Sequence, residues 1–499
     1  MSLMKRVAVW VIAVPLLVVA AFALFLFFRP VPITNLQVLF NSVLGSSVAA
    51  PSENTVAQRL KAAPGFSVSV YASGLKGPRF LHFTANGNLL VSEPRQGSVL
   101  LLERGRDGRA GPARILLQGL NRPHGLDIAD GWLYVGESNA VGRVRIDEND
   151  GHLLGDYSRI ITGLTDEGHH WTKTVRIGPD GYLYLSQGSS CNVCEEKDPR
   201  RATIMRFNRD GSGGMIYATG LRNSVGLDWA PWSGELYATE NGRDLLGDDF
   251  PPDELNLIKQ GGFYGWPYIN GYGVLDPDVG EGKEALLKTA ISPAFGFRPH
   301  NAPLGMQFVR RPPPGYERTA LVALHGSWNR TIPDGYKVVA LHWKDDGSIE
   351  QRDFLTGFEH NGDVIGRPVD VAQGPDGAFY VSDDYAGLIY RVAPGAPAQS
   401  APAASNQAPR DERLEALNET QRQALAAQGE ALYRRYRCGG CHEPGQVGSF
   451  RQVRPLEHLD ERYTVESLQA FLRTPTPPMP VFPLSDSERE AVAVYLLTR

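Results

Sequence analysis

The residues whose types and spacing suit chemistry fall in three places. The first is Cys438-Gly-Gly-Cys441-His442 near the end of the chain. Two thiols one helical turn apart can form thioethers with the two vinyl groups of one haem, and the next residue, His442, then lies against the iron. Met479, in Pro477-Pro478-Met479-Pro480, offers a thioether for the opposite face, and it is the only methionine after Met306. A His/Met iron has a raised potential suited to electron transfer. His458 is the rival axial ligand, although Leu-Glu-His-Leu reads as a helix or surface position. The second place is Cys191 and Cys194, in Ser-Ser-Cys-Asn-Val-Cys-Glu-Glu, with no histidine following. In an oxidising compartment this pair can close a tight local disulfide, whereas a metal site would need more ligands than stand nearby. The third is the acidic loop Glu240 to Asp253 and the residue after it, with Asp244, Asp248, Asp249, Asp253 and Glu254. Oxygen-rich loops suit Ca²⁺, which takes about 6–8 oxygen ligands; the alternative is a solvated acidic loop.

Helices are expected to position the haem ligands. Arg413 to Tyr436 has apolar positions at helical spacing (Leu414, Leu417, Leu425, Leu432, Tyr433), and Ser485 to Leu497 repeats the pattern with Ala491, Val492, Val494, Tyr495 and Leu496. The order helix, CxxCH, methionine loop and terminal helix resembles a monohaem cytochrome c domain over 411–499. Residues 394–410 are Pro/Ala/Ser/Gln-rich and read as a semi-extended linker.

At 499 residues the chain is too long for one ordinary domain. Its net charge of -5 comes from 50 basic and 55 acidic residues with no basic stripe, which argues against a nucleic-acid partner. Val7 to Phe28 is a run of 22 residues without a charge, after Lys5 and Arg6. At roughly 1.5 Å per residue it spans a hydrocarbon core of about 30 Å. The reading is one transmembrane anchor over 7–28 with the main body outside the cytoplasm, in a bacterial periplasm. A signal peptide cut near Val48-Ala49-Ala50 is the alternative, and both export the body.

The region 55–393 repeats a turn followed by a short apolar strand. The copies are Asn86-Gly-Asn-Leu-Leu-Val-Ser-Glu, Asp130-Gly-Trp-Leu-Tyr-Val-Gly-Glu, Asp180-Gly-Tyr-Leu-Tyr-Leu-Ser-Gln, Ser233-Gly-Glu-Leu-Tyr-Ala-Thr-Glu and Asp376-Gly-Ala-Phe-Tyr-Val-Ser-Asp. A degenerate sixth is Arg318-Thr-Ala-Leu-Val-Ala-Leu-His. The first glycine intervals are 44, 50 and 53 residues, and the gap of 143 from 234 to 377 holds two blades with an insertion. This is the pattern of a six-bladed β-propeller, whose strand ends converge around a central channel. The fold class is therefore mainly β, with a small all-α cytochrome domain and one N-terminal transmembrane helix.

Three segments resemble the six-bladed quinoprotein glucose/sorbosone dehydrogenases: Gly168-His-His-Trp-Thr-Lys-Thr-Val-Arg-Ile-Gly-Pro-Asp, Gly220-Leu-Arg-Asn-Ser-Val-Gly-Leu, and Asp253-Glu-Leu-Asn-Leu-Ile with Gly262-Phe-Tyr-Gly-Trp-Pro. The closest flavour is the sorbosone dehydrogenase branch with an attached cytochrome. The resemblance implies a sugar, sugar-aldehyde or polyol dehydrogenase that uses pyrroloquinoline quinone (PQQ) and passes electrons to haem c and then to a respiratory acceptor. It implies His170 as catalytic base, with His169 the competitor, and Arg222 and Asn223 as the pair that grips the quinone. It adds His124, His325 and Arg367 as quinone contacts, with Arg243 and Arg330 available to compensate. Calcium is implied at the backbone of Gly242 and Arg243. The chain departs from the pattern at Val369, where a second arginine is expected, and at His325, where some members have lysine. The acidic loop is also longer than a minimal version. The rival readings are a Ca²⁺-dependent lactonase-like propeller and a non-enzymatic propeller that docks a cytochrome to a partner.

Overall fold

The computed structural model describes residues 48–105, 108–395, 411–436, 438–442, 456, 459, 463–473, 475, 479 and 481–499. The apolar run 7–28, nearly all of the linker 394–410, and His458 lie outside the described residues. Among the described residues no helix is long and apolar enough to cross a membrane. Two compact units result, one within Met1–Ala396 and one within Pro397–Arg499.

The first unit is a ring of six sheets, antiparallel except where Met215–Thr219 of blade 3 pairs parallel with Gly262–Phe263. Each copy of the sequence repeat forms the second strand of a blade: Leu89–Glu93, Trp132–Glu137, Leu183–Gln187, Leu236–Glu240, Thr319–Leu324 and Phe379–Asp383. These strands are buried almost throughout, because each blade is covered by its neighbours on both faces. The turn glycines carry the positive φ that the turns require, for example Gly131 at 73° and Gly377 at 80°. The long gap before the last repeat holds an insertion between Glu254–Ile258 and Phe295–Gly296 of blade 4, with a small hairpin of Ile269–Asn270 and Val274–Leu275.

Ring closure joins distant parts of the chain. Phe66–Ala72 pairs antiparallel with Leu388–Pro394 and so supplies the outer strand of blade 6. Lys61–Ala62 does the same for blade 5 through Ile349–Thr356. Neighbouring blades are also joined by buried aspartates. Asp127 accepts from Ile177 N at 2.6 Å, Asp228 from Phe308 N at 2.7 Å, and Asp370 from Leu81 N at 3.0 Å, the last across the closure.

The acid that ends most repeats has a structural use. Glu93 accepts from Lys76 N, Glu137 from Asn121 N, Glu240 from Asn223 N and Asp383 from Arg367 N, at 2.6, 2.7, 2.6 and 2.9 Å. Each bond fastens the backbone shortly before an inner strand, which is where the site residues stand. Burial pushes Glu240 and Asp383 up to about 7. Glu254, opposite Glu240 in the ladder, is pushed up to about 8 by burial and by that neighbour.

The second unit is helical: Glu412–Ala416, Glu419–Arg435, Gly439–His442, Val465–Arg473 and Asp486–Thr498. The helix expected from Arg413 to Tyr436 is broken at Leu417–Asn418, because Asn418 caps the following helix in a reciprocal box with Gln421. Ser485 and Glu488 form the same box on the terminal helix. Gly429 lies where the two long helices cross, and a Cβ there would run into the Ala491 carbonyl and Tyr495.

Two predictions follow from packing and charge. Gly429→Ala should cost the cytochrome unit about 1–3 kcal/mol, a fall of several degrees in its melting transition; an unchanged transition would show that the crossing is looser. A carboxyl whose pKa is raised on folding stabilises below its unfolded value, near 4.3 for Glu, and that contribution is lost as pH rises through the folded value. With chelator present, the propeller should lose melting temperature between pH 6.5 and about 8.5, and Glu254→Gln should make that loss shallower. An identical slope would contradict burial of Glu254 beside a second acid, Glu240.

Candidate active site

His170 stands just before Lys173–Ile177, the inner strand of blade 3, with φ of 50°. A non-glycine residue in this region is uncommon and is held there by its surroundings. Its Nδ1 lies 2.9 Å from Ser189 Oγ and 3.1 Å from Ser189 O. Arg201 fastens the same turn, donating to the carbonyls of Thr165, His169 and Ser189 at 2.9, 2.6 and 2.6 Å. Burial, then the charge of Arg222, holds His170 well below the ordinary histidine range. The imidazole is therefore neutral at neutral pH and able to accept a proton. His169 instead directs its backbone N–H to Ser190 O at 2.8 Å.

Gly188 brings His170 and Asn223 together. A Cβ on Gly188 would lie 2.5 Å from His170 Cβ and 2.6 Å from Asn223 Oδ1, so only glycine admits this approach. Asn223 is buried, and its Oδ1 has no partner among the described residues. Arg222 is buried too, and its five donor positions are all engaged. Nε donates to Asn192 O at 2.9 Å, Nη1 to the carbonyls of Asn241 and Gly242 at 3.2 and 2.8 Å, and Nη2 to Asn192 Oδ1 and Asp244 Oδ2 at 2.8 Å each. Arg222 therefore reaches a bound group first through its charge. A direct hydrogen bond requires one of these acceptors to yield, and Asp244, the one charged acceptor among them, is only partly buried.

Arg243, expected as a quinone contact, lines the cavity beside Arg222, and its buried Nε has no partner among the described residues. Its two terminal nitrogens pair with Asp276 and Asp278 of the insertion, and Asp276 is buried. Arg330 is likewise tied to the carbonyls of Asp248 and Pro299. The acids of the loop do not converge. Asp253 latches Gly242 N and Ala302 N at 2.7 and 2.8 Å, and Asp248 accepts from Thr331 N. A cavity beside Arg222 is lined by Glu240, Gly242, Glu254 and Trp266. Among the described residues, Cys191, Cys194 and Glu196 form the one group of side chains with metal-binding proximity, and those cysteines are joined as a disulfide.

Blades 5, 6, 1 and 2 contribute a polar chain that sequence reading found only in part. His325 Nε2 lies 2.9 Å from Asp384 Oδ1, Asp384 Oδ2 accepts from Arg79 Nη1 at 2.7 Å, and Arg79 Nη2 lies 3.3 Å from His124 Nε2. Arg367 donates to the carbonyls of His325 and Gly326 at 3.0 and 2.9 Å. Burial first, then Arg79, holds His124 well below the usual range, and burial with Arg367 lowers His325 to about 4. Asp384 is lowered despite burial, by His325, Arg79 and Arg367. Arg79 and Asp384 were missed, although each stands at a strand end where site residues gather; Asp384 directly follows the last repeat. His124 also meets Trp171 edge-on at 5.8 Å, which ties this chain to the His170 turn. Val369 is fully buried in an apolar cluster with Phe80, Val225 and Leu304 at the starts of inner strands, so its place is a hydrophobic plug.

In the helical unit, Cys441 and His442 lie on the short helix Gly439–His442 that follows Glu419–Arg435. Cys438 and Met479 are half-buried and pack against one core cluster with Leu432, Tyr433 and Leu468.

Comparison with known proteins agrees with this geometry. A TrAA12-like family profile matches residues 60–268 and 282–394, and a profile described as cytochrome c oxidase, cbb3-type, subunit III matches 424–496. An uncharacterized protein of Borreliella burgdorferi is 29% identical over 374 residues, covering 71% of this chain and 96% of that protein. The pyrroloquinoline quinone-dependent pyranose dehydrogenase of Coprinopsis cinerea is 26% identical, covering 69% of this chain but 56% of that enzyme's length. Among solved structures, the calcium structure of a Trichoderma reesei family AA12 enzyme superposes with a TM-score of 0.60 at 23% identity, covering 70% of this chain and 99% of that one. The holo form of the Coprinopsis cinerea pyranose dehydrogenase PQQ domain gives 0.58 at 24%, covering 69% and 98%. The chain belongs to the TrAA12-like family, as a six-bladed propeller like that of the PQQ-dependent sugar dehydrogenases with a cbb3-type cytochrome c domain at its C-terminal end.

Proposed function

We propose that the protein is a quinohaemoprotein that oxidises a sugar, sugar aldehyde or related polyol, sorbosone included, at the propeller and delivers the electrons to its own haem. The observation that carries this reading is His170: neutral, held by Ser189 in a strained backbone, and beside the unpartnered amide oxygen of Asn223.

The propeller residues fit a polyanionic quinone. Arg79, Arg222 and Arg367 bring positive charge to the strand ends, while His124 and His325 are neutral there. Arg79 Nε and Asn223 Oδ1 are buried atoms without partners among the described residues, one donor and one acceptor for a bound group. Arg79, Arg222, Asn223, His124, His325 and Arg367 would hold PQQ, which when bound supplies a two-electron acceptor able to return electrons singly. His170 takes the proton of the substrate hydroxyl as the carbon-bound hydrogen and its electron pair leave. Arg222 opposes protonation of His170 and favours negative charge in the site. The apolar plug around Val369 replaces a second arginine, so anion binding falls to Arg79 and Arg367.

Cys438, Cys441, His442 and Met479 would hold a haem c, which supplies a one-electron acceptor. Calcium belongs to the same reading: the Trichoderma reesei relative has a calcium structure, and carbonyls at Gly242 and Arg243 are oxygen donors. The Gly242 carbonyl also accepts from Arg222, leaving its second lone pair. The anchor at 7–28 would hold the body in the periplasm at the inner membrane, near a respiratory acceptor.

The test is titration of the full-length haem protein with PQQ and Ca²⁺, then dye reduction with a panel of aldoses, sorbosone and polyols. His170→Ala should keep quinone affinity and lose about 10²–10⁴ in turnover. The acid limb of the native pH–rate profile should lie below pH 6.5, since His170 is protonated only well below that value. Absence of quinone binding together with absence of turnover on every substrate would favour the lactonase or docking readings. Met479→Ala should lower the haem midpoint potential in a spectroelectrochemical titration; an unchanged potential would assign the axial position elsewhere.

A further inference from the structure

The Cys191–Cys194 disulfide closes a four-residue loop after the strand Leu183–Gln187, and the function described so far makes no use of it. That loop touches both halves of the site. Ser189 Oγ donates to Cys191 O at 2.7 Å. A serine has one hydroxyl hydrogen and a carbonyl oxygen only accepts, so that hydrogen is committed to Cys191. Ser189 Oγ can then meet His170 Nδ1 only as an acceptor, and Ser189 O is an acceptor by nature. The proton of the neutral imidazole must sit on Nδ1, and Nε2 keeps its lone pair. The next residue, Asn192, accepts from Arg222 twice, through its backbone oxygen at 2.9 Å and its side-chain oxygen at 2.8 Å. Its Oδ1 also receives Asp244 N at 2.9 Å, and its Nδ2 donates to Asp244 O at 3.0 Å. Ser189 N donates to Arg222 O at 2.6 Å. Glu196 fastens the loop from the other side through Ser190 N and Oγ at 2.6 and 2.7 Å.

We propose that the disulfide-closed loop Cys191–Cys194 is the positioning element of this site: the Cys191 carbonyl, acting through Ser189, fixes His170 with Nε2 as its basic nitrogen, and Asn192 holds the guanidinium of Arg222 in place. The disulfide limits the conformations of the four residues between which these acceptors lie. Ser189 and Asn192 are positioning residues, since they act through His170 and Arg222. The inference rests on the reading of His170 as the base.

The test uses full-length haem protein with ¹⁵N-labelled histidine in the reduced, diamagnetic haem state. Long-range ¹H–¹⁵N correlation, assigned by loss of the signal in His170→Asn, reports the tautomer without any turnover. The native protein should show the Nδ1–H form; Ser189→Ala, which leaves only the residue's backbone carbonyl as acceptor at Nδ1, should add an Nε2–H share, and Ser189→Thr should restore the native pattern. An Nε2–H pattern in the native protein, or a native pattern in Ser189→Ala, overturns the proposal for His170. In PQQ-loaded protein, Ser189→Ala should lower kcat about tenfold or more with KM unchanged, as expected for a misplaced reacting group. Asn192→Ala should raise the PQQ dissociation constant about tenfold, the loss expected for a hydrogen bond to a charged group; unchanged affinity overturns the proposal for Arg222. Cys191→Ser with Cys194→Ser should show both defects in weaker form, and native behaviour would remove the disulfide from the account. If His170→Ala retains full turnover, the catalytic reading fails on its own, whatever the tautomer.

Discussion

The constraint on which the molecule depends is closure of the ring. Phe66–Ala72 must find Leu388–Pro394 across more than three hundred residues, and Asp370 must reach Leu81 N over the same seam. The Arg79–Asp384 ion pair, at 2.7 Å, lies across that junction and exists only in the closed ring. Contacts of such sequence separation carry a large loop-closure cost and reward the chain only after most blades have formed. The polar chain His325–Asp384–Arg79–His124 is thus complete only in the closed ring, whereas His170 and Arg222 stand on blades 3 and 4, away from the seam.

Within that scaffold, charge is managed by separating acids that shape the backbone from bases that face the site. Glu93, Glu137, Glu240 and Asp383 turn inward to receive backbone N–H groups. Burial leaves Glu240 and Asp383 weak acids, with values near 7. Arginines stand at the same strand ends, and their field together with burial keeps His124, His170 and His325 neutral. Neutral histidines among arginines suit an anionic group and a proton acceptor together. Such an arrangement is stable only where the backbone is over-determined, as at Gly188 and at the positive φ of His170.

Much of this was legible in the chain itself. The six repeats mark the second strand of every blade, because a short continuous apolar run after a turn glycine leaves a strong local pattern. The CxxCH motif and the flanking helical periods announce the cytochrome unit. What local pattern could not supply is which partner each side chain meets. Arg243 gives no sign in the sequence that Asp276 and Asp278 of the insertion hold its two terminal nitrogens. Val369 looks like a lost arginine, yet it completes a plug with residues from three other blades. Arg79 and Asp384 carry no motif, and their meeting is a product of closure. The break at Asn418 shows the reverse case, where a capping signal lay in the sequence beneath a stronger helical period.

The central claim is that oxidation at the propeller reduces the haem on the same chain. The direct measurement is anaerobic mixing of PQQ-loaded, oxidised-haem protein with excess sugar while haem absorbance is followed at several protein concentrations. Haem reduction should require PQQ, with an observed rate constant independent of protein concentration. A haem that stays oxidised while an added dye is reduced, or a rate that rises in proportion to protein, would contradict it.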